Sequence, residues 1–108
     1  KINPRDPELL SNLAGYYAIL GEKEKAVTLL LEAAQLKPSD LKVLFRIGET
    51  YEQLGKRELA LNWIEQAITK GYSLAEIEPN PALKKLRADA RFNGIVEKGL
   101  RSTREHKQ

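Results

Sequence analysis

The sequence predicts an all-α chain: two antiparallel helix hairpins in tandem, closed by a C-terminal helical cap. Three observations predict it. The chain resembles itself at a fixed spacing of 34 residues. Matched positions recur at steps of three, four and seven residues, which places them on one helix face. Glycine and proline then interrupt both units at equivalent places.

Laid over residues 41–74, residues 7–40 give identities at Leu10/Leu44, Tyr17/Tyr51, Leu20/Leu54, Gly21/Gly55, Glu24/Glu58, Ala26/Ala60 and Ala33/Ala67. Leu13/Ile47, Ala14/Gly48, Val27/Leu61 and Leu30/Ile64 are conservative pairs.

The first six residues, KINPRD, echo the QLKPSD of residues 35–40. Ile2 answers Leu36, Pro4 answers Pro38 and Asp6 answers Asp40. Residues 1–6 are therefore expected to be the tail of an upstream unit, and the chain a piece of a longer protein.

In the unit spanning 7–40, Asp6 can cap a helix and Pro7 suits its first position. Leu10, Leu13, Ala14, Tyr17 and Leu20 form the apolar stripe. Gly21 ends that helix, since glycine tolerates the left-handed conformation. A second helix is expected from about Glu22 to Lys37, with Ala26, Leu30 and Ala33 facing its partner. Pro38 cannot continue it.

The unit spanning 41–72 repeats the plan, with Asp40 as cap, a helix to Leu54, Gly55, and a helix from Lys56 to Lys70 ended by Gly71. The small residues Ala14, Ala26, Gly48 and Ala60 let paired backbones approach closely.

Residues 73–108 break the period. Ser73 and Glu76 have the spacing of a capping box. Asn80 and Pro81 read as the cap and first residue of a short helix carrying Leu83 and Leu86. Asp89 starts a last helix with Phe92, Ile95, Val96 and Leu100 on one side.

A unit of Leu-x-x-Leu-Ala-x-x-Tyr, then Gly, then Ala-x-x-x-Leu-x-x-Ala and a closing Pro resembles the tetratricopeptide repeat, an α-solenoid unit. The first unit carries it at Leu10, Leu13, Ala14, Tyr17, Gly21, Ala26, Leu30, Ala33 and Pro38. The second carries it at Leu44, Ile47, Gly48, Tyr51, Gly55, Ala60, Ile64 and Ala67. Leu stands where the family often has a first-helix Trp. Tyr72 after Gly71 replaces the second closing Pro. The ending is similar to that of many bacterial members, in which Gly-Tyr precedes short helices and an Arg-x-Asp-Pro-Arg-Phe motif. Here that motif is Arg87 to Phe92, with Ala90 in place of Pro. The resemblance implies a cap over the last repeat, since a terminal repeat leaves one apolar face uncovered. It also implies a parent chain ending near Gln108 and a bacterial source.

The resemblance implies function as well. First helices of such repeats line a groove that holds an extended peptide or a partner helix. By position, that face is Asn12, Gly15, Ala18 and Ile19, then Lys42, Phe45, Arg46, Glu49 and Gln53, with Glu8 and Ser11 near its edge. Asn12, Lys42 and Arg46 also fit the spacing of the clamp by which some members hold a C-terminal carboxylate. Lys42 and Arg46, at i and i+4, can face one anion together. Phe45 has two readings, an apolar contact offered to a partner or a side chain packed on the first unit. Trp63 likewise either packs on the following helices or is an exposed anchor.

Signs of chemistry are thin. The seven glycines never form a phosphate-cradling motif. His106 stands alone near the end, and Ser11, Ser39, Ser73 and Ser102 have no base nearby. Glu22, Glu24, Glu49, Glu52 and Glu58 read as exposed helix residues forming weak ion pairs. No catalysis, cofactor, metal or small-molecule substrate is expected.

Hydrophobic residues make up 42% of the 108-residue chain and charged residues 31%, as in a folded globular protein. No apolar run is long enough to span a membrane. The absence of cysteine suits a reducing compartment, and a cytoplasmic location is expected. The net charge of +3 is uneven. Residues 1–83 hold ten Lys and Arg against twelve Asp and Glu; residues 84–108 hold eight against three. The expected role is protein–protein recognition within a larger regulatory or assembly protein. Two alternatives stay open: nucleic-acid or anionic-membrane binding by the basic C-terminal quarter, and self-association.

Overall fold

A computed structural model of the chain describes residues 6–106. The echo of an upstream unit in Ile2 and Pro4 lies outside them, as do the side chains beyond Arg101, including those of Ser102 and His106. The elements are α1 (Pro7–Ile19), α2 (Lys23–Gln35), α3 (Leu41–Gln53), α4 (Arg57–Thr69) and α5 (Leu74–Ile77). A 3-10 turn (Pro81–Leu83), α6 (Lys84–Arg87) and α7 (Ala90–His106) follow. No strand occurs among the described residues, and no described helix is long and apolar enough to cross a membrane.

The helix starts follow the expected caps. Asp6 Oδ1 accepts from the Glu8 amide, and Asp40 Oδ1 accepts from the Lys42 and Val43 amides. Asn80 Oδ1 accepts from the Ala82 amide, and Asp89 Oδ1 from the Arg91 amide. Ser73 also caps, through the Ala75 amide at 3.2 Å. The reciprocal half of its capping box, a bond from the Ser73 amide to Glu76, is not among the hydrogen bonds of the described residues; Glu76 acts on the Tyr72 phenol instead. Gly21 and Gly55 end the first helix of each unit at φ near +80° (83° and 79°). The second helices end through Lys37 (φ 49°) and Gly71 (φ 113°), which occupy the same place one period apart.

Hairpins α1/α2 and α3/α4 are the most extensive pairings, and α1 lies against α3. Ala14, Ala26, Ala33, Ala60 and Ala67 are fully buried where paired helices meet. At Gly48 the approach is closest: an added Cβ would lie 2.9 Å from Ile64 Cδ1 and 3.2 Å from the Ile64 amide nitrogen.

The second unit buries the stripe that the first leaves open. Val43, Ile47, Thr50 and Leu54 are all at most 9% exposed. Their counterparts one period earlier are Leu9, Leu13, Tyr16 and Leu20. Leu9 is half-buried, and the other three are 37%, 66% and 72% exposed. Leu13 and Leu20, expected in the buried stripe, thus lie on the outer side of α1. On α3 the equivalent residues are covered, with α1 lying against that helix.

The C-terminal segment closes the other end. α7 packs along α4, and the 3-10 turn packs on α3. Ile77, Leu83, Leu86 and Phe92 are buried in the common core. Leu100, expected on the packed side of α7, is 42% exposed. Its neighbour Gly99 makes the contact instead.

Candidate groove on the first helices

Along α3, Lys42, Arg46, Glu49 and Gln53 follow at steps of four, three and four residues and share one face. Asn12, Gly15 and Ile19 do the same on α1. The two helices lie side by side, so the faces join. Lys42, Phe45, Arg46, Glu49, Tyr72 and Pro79 border an open hollow of about 620 Å³. Asn12, Gly15, Tyr16, Ile19 and Gln53 border a second of about 270 Å³, to which Arg46 and Glu49 also contribute. Of the nine groove-face residues expected from the sequence, all but Ala18 line these hollows.

Phe45 does so differently from either expectation. It is 7% exposed, and its ring stacks on Tyr72 with centroids 4.4 Å apart and planes 7° from parallel. It is therefore neither an open apolar contact nor a side chain held by the first unit alone: the start of the C-terminal segment covers it. Ser11, expected at the groove edge, is fully buried and donates to the Glu8 carbonyl oxygen at 3.0 Å. Ala18 is half-buried against the core. Trp63, too, is half-buried and packed on the core.

The carboxylates of the groove are engaged by the protein itself. Glu49 Oε2 accepts from Asn80 Nδ2 at 2.7 Å. The Glu76 carboxylate acts on the Tyr72 phenol. Burial first, then the neighbouring Glu76, pushes the Tyr72 phenol up to about 12. Lys42 and Arg46 form no side-chain hydrogen bond or ion pair among the described residues. The groove therefore has spare cationic capacity and little spare anionic capacity.

A cluster of ionic bonds holds the C-terminal segment that forms one wall. Arg57 meets Glu52 through two bonds of 2.8 Å and reaches Asp89 Oδ2 at 3.2 Å. Arg91 bonds Asp89 at 3.0 Å and approaches Glu58 at 3.8 Å. Arg91 first, then Arg57, holds the Asp89 carboxyl well below the usual carboxylate range. Arg87 Nη1 donates to the Ile77 carbonyl oxygen at 2.9 Å and to that of Asn80. Every distinctive residue of the Arg87–Phe92 motif thus has a structural partner. The Glu52 side chain is only 8% exposed, so this glutamate is not the loosely solvated residue its helix pattern suggested. Glu49 is half-buried for a related reason, its bond to Asn80.

Sequence reading missed Tyr16, Tyr72, Glu76 and Pro79 as groove-lining residues, and Asn80 as the partner of Glu49. The one available signal was Tyr72 standing where the first unit has its closing proline. Three cations of the basic C-terminal quarter are also committed internally: Arg87, Arg91, and Lys98, which pairs with Glu65 at 3.0 Å. Among the described residues no cluster of His, Cys, Asp and Glu could hold a metal ion.

A family profile described as tetratricopeptide repeat matches residues 7–40 and 41–69. No curated protein and no solved structure matches the chain. The two matched segments are the two hairpins, and together they cover more than half of the sequence. With the stacked helix pairs and small residues at their crossings, they show that the chain belongs to the tetratricopeptide repeat family.

Proposed function

We propose that the groove along α1 and α3 binds an extended segment or helix of a protein partner, with an acidic group of that partner held by Lys42 and Arg46. Repeats of this family generally mediate protein–protein interaction. The observation that carries the finer reading is the imbalance of the groove. Its carboxylate Glu49 is bonded to Asn80 and Glu76 faces the Tyr72 phenol, while two cations one helical turn apart have no side-chain partner among the described residues. Arginine and lysine together suit a carboxylate, because the charge-assisted bonds add to the attraction. The chain recruits a partner in this reading and carries out no reaction.

The test is selection of unstructured ten-residue peptides from a displayed library on the purified chain. Enriched peptides carry Asp or Glu. Arg46→Glu weakens their binding by about 1–3 kcal/mol, the range for a real interface contact. Helical content and melting stay unchanged. If binding survives Arg46→Glu and disappears on Arg101→Glu, the groove is idle and the basic end is the binding site.

A second reading rests on the open stripe of Leu13, Tyr16 and Leu20. Its counterparts on α3 are buried by a helix hairpin, so the stripe is shaped for another hairpin. In the isolated chain the occupant is a second copy. Because α7 closes the opposite end, copies cannot add head to tail, and pairing through α1 stops at a dimer. Light scattering across concentration tests this. A mass that stays at one chain at all concentrations, or a dimer that Leu13→Glu leaves intact, rules it out.

A further inference from the structure

Resting on the second reading above, we infer that two copies of the chain pair through α1 in one antiparallel register, with Leu9 of each copy against the partner's Leu20 and Leu13 against the partner's Tyr16. Of the seven large apolar side chains exposed among the described residues, four (Leu13, Tyr16, Ile19 and Leu20) sit on α1. That concentration marks a docking face rather than scattered surface residues. Leu9, half-buried, extends the same stripe. The steps from Leu9 through Leu13 and Tyr16 to Leu20 are four, three and four residues, so they read the same from either end. A helix with such a stripe fits a reversed copy of itself. Each residue and its opposite then exchange contacts across a two-fold axis, as an isologous interface requires. The second unit cannot supply the mate, because its matching stripe of Val43, Ile47, Thr50 and Leu54 is buried within its own chain.

Helix geometry and side-chain size set the register. From Leu9 to Leu20 the stripe runs about 16 Å, at about 1.5 Å per residue. With the two-fold axis midway between Leu13 and Tyr16, every residue of the stripe meets an apolar residue of the other copy. A slip of one turn, about 5.4 Å, leaves one end of the stripe unmatched. The antiparallel register also sets the large Tyr16 ring against the smaller Leu13. Parallel pairing would bring the two Tyr16 rings to one level, together with the two exposed Glu8 carboxylates beside the stripe. Antiparallel pairing moves those carboxylates about 20 Å apart along the helices and sets the two helix dipoles in opposition.

The chain has no cysteine, so an introduced one reports a single contact. Two variants of the full 108-residue chain are made, Leu9→Cys and Leu20→Cys. Melting and light scattering under reducing conditions first check that each is folded and that their mixture is dimeric. In the inferred register the two positions lie level across the axis, within the roughly 4.4–6.8 Å between Cα atoms that a disulfide spans. The two copies of position 9 lie about 16 Å apart along the helices, beyond that reach. Oxidation of the mixture is therefore expected to give at least about tenfold more covalent dimer than oxidation of either variant alone. The unmodified chain gives a second measurement. Mixed isotope labelling is expected to show intermolecular NOEs between the Leu13 methyls and the Tyr16 ring. Leu9→Cys that links to itself as readily as the mixture does overturns the register and leaves pairing through α1 standing. A dimer of the unmodified chain without Leu13–Tyr16 NOEs between copies does the same. A mass of one chain at every concentration overturns both.

Discussion

Gly99 on α7 lies so close to Ile68 on α4 that a Cβ added to it would sit 2.2 Å from Ile68 Cγ2. That methyl is attached at the branched Cβ of a buried residue and cannot swing aside without shifting α4. The two helices therefore cross where glycine is required for space. Gly99→Ala is expected to push α7 outward and destabilise the fold by about 1–3 kcal/mol. Gly94, one and a half turns earlier on the same helix, has open space around it. Gly94→Ala is expected to stabilise by about 0.5–1 kcal/mol through helix propensity alone. Denaturant melts of the two variants decide it; equal effects would mean that α7 does not dock through Gly99.

Ala26 and Ala60 are fully buried and occupy the same place in the two hairpins. Leucine at either position adds three carbons to a contact that has no free volume. Each substitution is expected to cost about 1–3 kcal/mol. Ala60→Leu is expected to be the worse, because the α3/α4 pair already touches at Gly48 and Ile64. Thermal melting that is unchanged in both variants would contradict the close pairing.

Arg57 joins the turn of the second hairpin to the start of α7. Arg57→Ala strands the nearly buried Glu52 carboxylate and loosens Asp89. A loss of about 1–2 kcal/mol is expected, less than for a fully buried pair because Arg57 is partly exposed. Acid has a related effect. Asp89 is held below its unfolded value of about 3.9, so its contribution is complete above that pH. It is lost as pH falls further, through the folded value. Melting temperature between pH 6 and pH 2 is expected to fall less steeply in Asp89→Asn than in the parent chain. Parallel curves would remove Asp89 from the account.

Tyr72 acts at the opposite end of the pH scale. Its phenol is raised from about 10 to about 12 by burial and by the neighbouring Glu76. The fold favours the protonated phenol, so the contribution is complete below pH 10 and is lost as pH rises through about 12. Absorbance titration of tyrosinate is expected to show a late component that Tyr72→Phe deletes. Burial also pushes Tyr51 up, so a second late component is expected to remain in that variant. Loss of no late component on Tyr72→Phe would mean that the phenol is solvated.

Local sequence determined the four long helices of the hairpins, their caps at Asp6 and Asp40, and their ends at Gly21, Gly55 and Gly71. Each depends on residues within about four positions, and the 34-residue period supplied the same information twice. The set of residues sharing the groove face was legible for that reason. What stands opposite a face was not, because helical periodicity says which side chains point together and nothing about what covers them. Leu20 and Leu54 are the same residue at the same phase, yet one is exposed and the other buried, since the α1/α2 hairpin lies against α3. Phe45, Glu49 and Asp89 were decided by partners 27 to 32 positions away: Tyr72, Asn80 and Arg57. The return of the C-terminal segment onto α3 and α4 made those contacts. It turned an apparent apolar anchor into a covered ring, and left Lys42 and Arg46 as the open charges of the groove.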